Sequence, residues 1–244
     1  MERLITDGKV TRGFLGVGLQ QLTPELGSRF GIKDQSGGAL VASVEEGTPA
    51  AEAGFKPGDV IVEFNGKKVI DSPQLRLMVS QTPPKTKVAF KVLREGKTKN
   101  FNVTLAALPT ERSLSGMLRP GPAEEHENET LDGVEVGDLD SKIRKQNSIP
   151  SHIQGAVVTG VDPDSPAFEA GLRPGDVILE MERKPITNAE EAVDMSNTFQ
   201  GDNILLRVWR KGSATYIPVP VERKNKSENK DKDDKDKDKE DDQK

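Results

Sequence analysis

The strongest constraint on this chain is that it repeats itself. Gly38-Ala39-Leu40-Val41 returns as Gly155-Ala156-Val157-Val158, and residues 48–61 (TPAAEAGFKPGDVI) return at the same offset as residues 165–178 (SPAFEAGLRPGDVI). The period is roughly 120 residues, several times that of a solenoid repeat. It reads as the duplication of a whole domain. A chain of 244 residues holds two such domains with connectors.

The repeat unit has a physical reading. Residues 38–44 (GALVASV) make a short apolar strand. Thr48 and Ser165 are N-cap residues, with Pro49 and Pro166 at the first helical position. Ala50, Ala51 and Ala53, or Ala167 and Ala170, let that helix lie close to a sheet, and Gly54 and Gly171 stop it. Pro57-Gly58 and Pro174-Gly175 turn the chain, and Asp59 and Asp176 bond the turn backbone. Strands then start at Asp59 and Asp176, and Asn65-Gly66 closes the first hairpin where the second copy has Glu182-Arg183. A longer helix follows, opened by Ser72-Pro73 and running to about Gln81 in the first copy, and capped by Asn188 over roughly 189–198 in the second. Each copy ends in a hairpin, 87–105 and 203–221, turning at Glu95-Gly96 and Lys211-Gly212.

Composition narrows the function classes. Hydrophobic residues are 33% and charged residues 31%, too polar for one large core but sufficient for two small ones. Aromatics at 4% and a net charge of −5 argue against nucleic acid as a partner. The absence of cysteine excludes disulfides and thiolate metal sites, and no cofactor motif is present. No run of about 18 apolar residues exists, so no transmembrane helix is expected. Residues 1–13 are too polar for a signal peptide, so the chain, if complete as written, would stay in the cytoplasm.

Catalysis is not expected. A Ser-His-Asp site needs a rigidly held histidine. His126 sits in an acidic connector and His152 in a Pro/Ser turn, and Ser36 leads into a strand and has no serine counterpart in the second copy.

The binding residues lie just ahead of the first repeat match, in Arg12-Gly13-Phe14-Leu15-Gly16-Val17-Gly18-Leu19. Glycines flanking two apolar residues let successive N–H groups share one concavity, a nest for an anion. A strand beside it with a free edge accepts a peptide as an added strand, with capture of its C-terminal carboxylate. On the helix over 73–81, Leu75 and Val79 share a face, with Arg76 and Met78 beside them. They either line the pocket for the ligand's last side chain or are ordinary core.

RGFLGV, the strand GGALVASV, the segment TPAAEAGFKPGDVIVEFNG and the helix SPQLRLMV together resemble the PDZ domain of the bacterial HtrA (Deg) family, and the likeness covers nearly all of residues 8–221. It implies a mostly β, α+β fold: two PDZ domains, each a partly open antiparallel barrel or sandwich capped by two helices. It implies a remnant linker at 1–12 and domains at 13–106 and 131–222. The Pro, Gly, Ser and acid content of 107–130 reads as a flexible connector, and residues 223–244, of mixed charge with nothing apolar, read as a disordered tail. It further implies hydrophobic C-terminal peptides or unfolded segments as partners, possible homo-oligomers, a protease domain ahead of the tandem, and a periplasmic location. Carried onto this chain, the carboxylate loop is Gly13, Phe14, Leu15 and Gly16, and the peptide-pairing strand starts at Val17.

The second copy departs from the pattern. Its loop is Leu131-Asp132-Gly133-Val134-Glu135-Val136, with one glycine and two acids that would repel a carboxylate if they faced the same concavity. Its helix offers Ala192, Val193 and Ser196, a poorer apolar wall. Weak or absent peptide binding is expected there.

Overall fold

The computed structural model describes residues 12–32, 37–108, 129–131 and 133–221. Most of the remnant linker and of the connector, the charged tail, Ser36, His126 and Asp132 therefore lie outside the described residues.

The first unit contains β1 (Gly13–Phe14), β2 (Val17–Gln21), α1 (Pro24–Arg29), β3 (Ala39–Val44), α2 (Pro49–Ala53), β4 (Val60–Phe64), β5 (Lys67–Lys68), α3 (Ser72–Gln81), β6 (Lys87–Arg94), β7 (Lys97–Thr104) and β8 (Ala106–Ala107). Its main sheet runs β2-β3-β4-β6-β7 with β5 on β4, and β1 pairs separately with β8. The second unit repeats the order as β9 (Glu129–Leu131), β10 (Val134–Asp138), α4 (Ser141–Gln146), β11 (Ala156–Val161), α5 (Pro166–Glu169), β12 (Val177–Met181), β13 (Lys184–Pro185), α6 (Ala189–Thr198), β14 (Asn203–Arg210) and β15 (Ser213–Pro220). Its sheet runs β15-β14-β12-β11-β10-β9 with β13 on β12. Both sheets are open, as the sequence implies. Each unit also carries a helix beyond the two expected, α1 and α4.

The local signals act as their chemistry requires. Ser165 accepts from Phe168 N–H, Asn188 from Glu191 N–H, and Asp71, one residue ahead of the expected Ser72, from Gln74 N–H. Thr48 holds the N-cap position without capping: its hydroxyl donates to the Glu45 carbonyl at 2.6 Å instead. Asn65-Gly66 and Glu95-Gly96 turn with positive φ at both residues, and so do Glu182-Arg183, with no glycine to relieve them. Glu182 is held there because its carboxylate accepts from Leu205 N–H at 2.7 Å.

Two cores result. In the first, Ala39, Val41, Ile61, Val88, Phe90 and Val92 pack from the sheet against Ala50 of α2 and Leu75 and Val79 of α3. Phe90 meets Phe55 and Phe64 edge-on at 5.5 and 5.1 Å. In the second, Ala156, Val158, Ile178, Ile204, Leu206 and Val208 pack against Ala167 and Ala192.

The opposite face of each sheet is apolar too. In the second unit, α4 and the turn after it cover it, Ile143, Ile149 and Ile153 meeting Val177, Leu179 and Trp209. In the first, Leu26 and Phe30 cover Leu40, Ala42 and Val60, and the layer is completed from the other unit by Leu205 and Tyr216. The two units therefore touch through a buried apolar cluster.

Candidate functional site

The loop entering β2 is fixed from the inside. The Leu15 carbonyl accepts from Ala50 N–H at 3.0 Å, and the Gly16 carbonyl accepts from Glu45 N–H at 3.0 Å. In a trans peptide the carbonyl and the next N–H point in opposite directions. The Gly16 and Val17 N–H groups therefore point away from α2 and β3. Gly16 has φ +85°, and a Cβ there would stand 2.2 Å from Cβ of Thr48. Gly13 is required for a different reason: its Cβ would meet the Val79 and Thr82 carbonyls at 2.5 Å, where β1 passes the end of α3.

Among the described residues β2 is an edge strand, paired only with β3. On its core-facing side Val17 and Leu19 are half-buried, as is Met78 of α3. Leu75 is wholly buried and Val79 is 8% exposed. Leu15, Val17, Leu19, Leu75, Met78 and Val79 thus pack in one apolar cluster where strand and helix face each other, the candidate furrow. Leu75 belongs to its floor and to the core at once. Arg76 is exposed on the outer surface of α3, away from the apolar floor. Phe14 lies in β1 against Ala106. Gly18 lies on the opposite face of β2, where a Cβ would meet the Ser43 hydroxyl at 2.3 Å.

The second unit keeps the backbone of this loop and closes the furrow. Gly133 has φ +80°, its carbonyl accepts from Asp162 N–H at 2.7 Å, and Ser165 crowds it as Thr48 crowds Gly16. Val134 and Val136, the counterparts of Val17 and Leu19, are fully buried. β9 pairs antiparallel with β10, Leu131 opposite Val134 and Glu129 opposite Glu135, along the edge that β2 leaves open. The sequence gives no sign of this strand. Glu135 also corrects the simple charge expectation. Its carboxylate lies over Gly160 of β11, 2.3 Å from where a Cβ would stand. Alternation along β10 puts it on the face opposite Val134 and Val136, so it does not point into the furrow. Of α6, Ala192 is buried, and Val193 and Ser196 are half-buried.

Thr48 is the supporting residue that sequence reasoning missed. Its recurrence as Ser165 is the available signal, one that a helix cap alone also explains.

Comparison with known proteins agrees with this fold. Residues 13–105 and residues 157–210 each match a PDZ domain model. The chain carries two PDZ domains in tandem. It is similar to a probable periplasmic serine endoprotease, DegP-like, of Chlamydia trachomatis, 37% identical over 85% of this chain and 39% of the relative. A protein of the same description from Pseudomonas putida is 36% identical over 88% of this chain and 44% of its own. The tandem is thus homologous to the PDZ region of DegP/HtrA-type proteases, and the chain spans about two fifths of the length of these relatives. Among solved structures, the HtrA-type protease AlgW with a decapeptide is 34% identical over 45% of this chain and 34% of that one, with a TM-score of 0.41.

Proposed function

We propose that the first domain captures peptides ending in a hydrophobic residue, and that the tandem is the substrate-recognition part of an HtrA-like protein-quality-control protease. The observation that carries this is the pairing of an open edge with an aimed backbone. Among the described residues no strand pairs with β2 on its α3 side, and the Gly16 and Val17 N–H groups point away from α2 and β3 at its start. A peptide added there antiparallel to β2 gains main-chain hydrogen bonds, its last side chain enters the furrow floored by Leu75 and Val79, and its carboxylate meets the loop amides. Each charge-assisted bond contributes about 1.5–3 kcal/mol. Gly13 and Phe14 shape the loop from behind, and Arg76 lies on the rim.

The second domain does not share this role in our reading, because β9 already pairs with the edge a ligand would use. A catalytic role for the described residues has no support: their one histidine, His152, is exposed in the loop before β11. The relatives' periplasmic description supports the same compartment for this chain.

Amide chemical shifts test the placement. On titration of the full chain with a short peptide ending in Val, shifts should concentrate at residues 14–20 and along α3. Shifts centred on β10 and α6 instead would overturn it.

A further inference from the structure

The buried contact between the two domains falls directly behind the peptide-pairing strand. Gln20 follows Leu19 in β2, and its side chain crosses to the second domain. Its Nε2 donates to the Tyr216 carbonyl at 2.8 Å, and its Oε1 accepts from Tyr216 N–H at 2.8 Å. β15 is the edge strand of its sheet, so one carboxamide satisfies both outward groups of Tyr216 as a neighbouring strand would. Around this pair, Phe30 meets the Tyr216 ring edge-on at 5.0 Å. Arg207 Nε donates to the Ala42 carbonyl at 3.0 Å. Arg29 donates to the Asn203 carbonyl and pairs with Glu182 at 3.4 Å.

The duplication supplies an internal control. Leu205 and Tyr216 correspond to Ala89 and Asn100 of the first domain, which are small or polar and exposed. Gln20, Arg29 and Phe30 correspond to Gly137, Gln146 and Asn147 of the second. A shared fold requirement would appear in both copies. These residues appear once each, on opposite sides of a single contact, which is the pattern of two surfaces fitted to one another.

We propose that the second domain is a docking partner of the first, and that its grip on Gln20 couples docking to peptide capture in the neighbouring furrow. The coupling rests on the peptide-binding role proposed above. The mechanism is preorganisation: docking holds β2 extended, so a ligand strand pairs with a backbone already fixed. By reciprocity, bound peptide tightens docking.

The test uses the full chain. Because it lacks cysteine, nitroxide labels at Lys67→Cys and Lys211→Cys, both exposed, report the distance between domains, and calorimetry reports affinity for a peptide ending in Val. The proposal predicts one narrow distance distribution, and about a 5- to 10-fold loss of affinity in Gln20→Glu and in Tyr216→Ala, both with a broadened distribution. Gln20→Glu keeps the strand residue's size, so it serves even if Tyr216→Ala fails to fold. A broad distribution in the parent chain overturns docking. A narrow one with unchanged affinity in undocked variants overturns the coupling. A narrow one with no peptide binding at all leaves docking standing and removes the coupling together with the role it rests on.

Discussion

Arg94 grips Asp59 through two hydrogen bonds, from Nε at 2.6 Å and from Nη2 at 2.7 Å, and the same Nη2 also donates to the Gly54 carbonyl at 2.8 Å. Asp59 is fully buried and also accepts from Lys56 N–H at 2.9 Å. One carboxylate thus ties the end of α2, the Pro57-Gly58 turn and the β6–β7 hairpin together. The second domain repeats every part: Arg210 on Asp176 at 2.5 Å, Arg210 on the Gly171 carbonyl, and Arg173 N–H on Asp176. The hydrogen bonds to Asp59 and Asp176 hold both guanidinium pKa values above the ordinary value. Removing one partner strands a buried charge. Arg94→Met should cost about 3–5 kcal/mol, read as a lower urea midpoint. A loss within the range of a surface ion pair, about 1 kcal/mol or less, would contradict this.

Gly16 and Gly54 have nearly the same φ, +85° and +83°, but different surroundings. Nothing lies within 4 Å of a Cβ at Gly54, whereas Thr48 overlaps one at Gly16. Gly54→Ala should cost only the left-handed penalty of about 1–2 kcal/mol. Gly16→Ala should cost clearly more and weaken peptide binding as the loop shifts. Equal losses in urea denaturation would contradict the packing of the loop on α2.

Much of this fold was legible before any coordinates. Caps, turn glycines and small-residue helices are local chemistry, and Asn188, Asn65-Gly66 and Ala50 each act as their residue type dictates. The loop glycines and the Leu75/Val79 face were legible for the same reason. What was not legible depends on partners distant in sequence. Asp59 announced a turn, but its arginine lies 35 residues on, at the end of another strand. α1 carries Gly27 among six residues and buries only Leu26 and Gly27, so it has little periodicity to detect. The domain contact left one unread sign. Ala39, Leu40, Val41 and Ala42 are all buried, and an unalternating apolar run in an antiparallel sheet means both faces are covered. Arg76 is exposed where its neighbour Leu75 is buried because successive residues on a helix point in different directions, and Glu135 lies on the face opposite Val134 and Val136 because strand alternation decides which face a charge occupies.

The self-paired edge of the second domain is open to covalent test. Glu129 stands opposite Glu135, and directly paired antiparallel residues have Cα atoms about 4.5–5.5 Å apart, within disulfide range. Glu129→Cys with Glu135→Cys should oxidise to an intrachain disulfide far faster than Glu129→Cys with Glu169→Cys on the exposed side of α5. Equal rates would remove β9 from the furrow.

Tyr216 is the chain's one tyrosine, so its ionisation is read without ambiguity from ultraviolet absorbance. Burial, reinforced by the Glu180 carboxylate, holds its phenol above the ordinary value. The folded pKa is the higher one, so this contribution to stability is complete below pH about 10, the unfolded value, and is lost as pH rises through the folded pKa. Part of the burial comes from Phe30 and Gly58 of the first domain. Leu205→Asn, which puts an uncharged polar group into the shared cluster, should lower the midpoint toward the ordinary value. An unchanged midpoint would mean that the first domain does not cover the phenol.

The central claim is that one furrow per chain, in the first domain, reads a C-terminal carboxylate. Calorimetric titration of the full chain with a peptide ending in Val, and with the same peptide amidated at its C-terminus, addresses it directly. The structure predicts one site per chain, with affinity falling at least tenfold on amidation as charge-assisted bonds to the loop are lost. Two equivalent sites, or equal affinity for the free and amidated peptides, would contradict it.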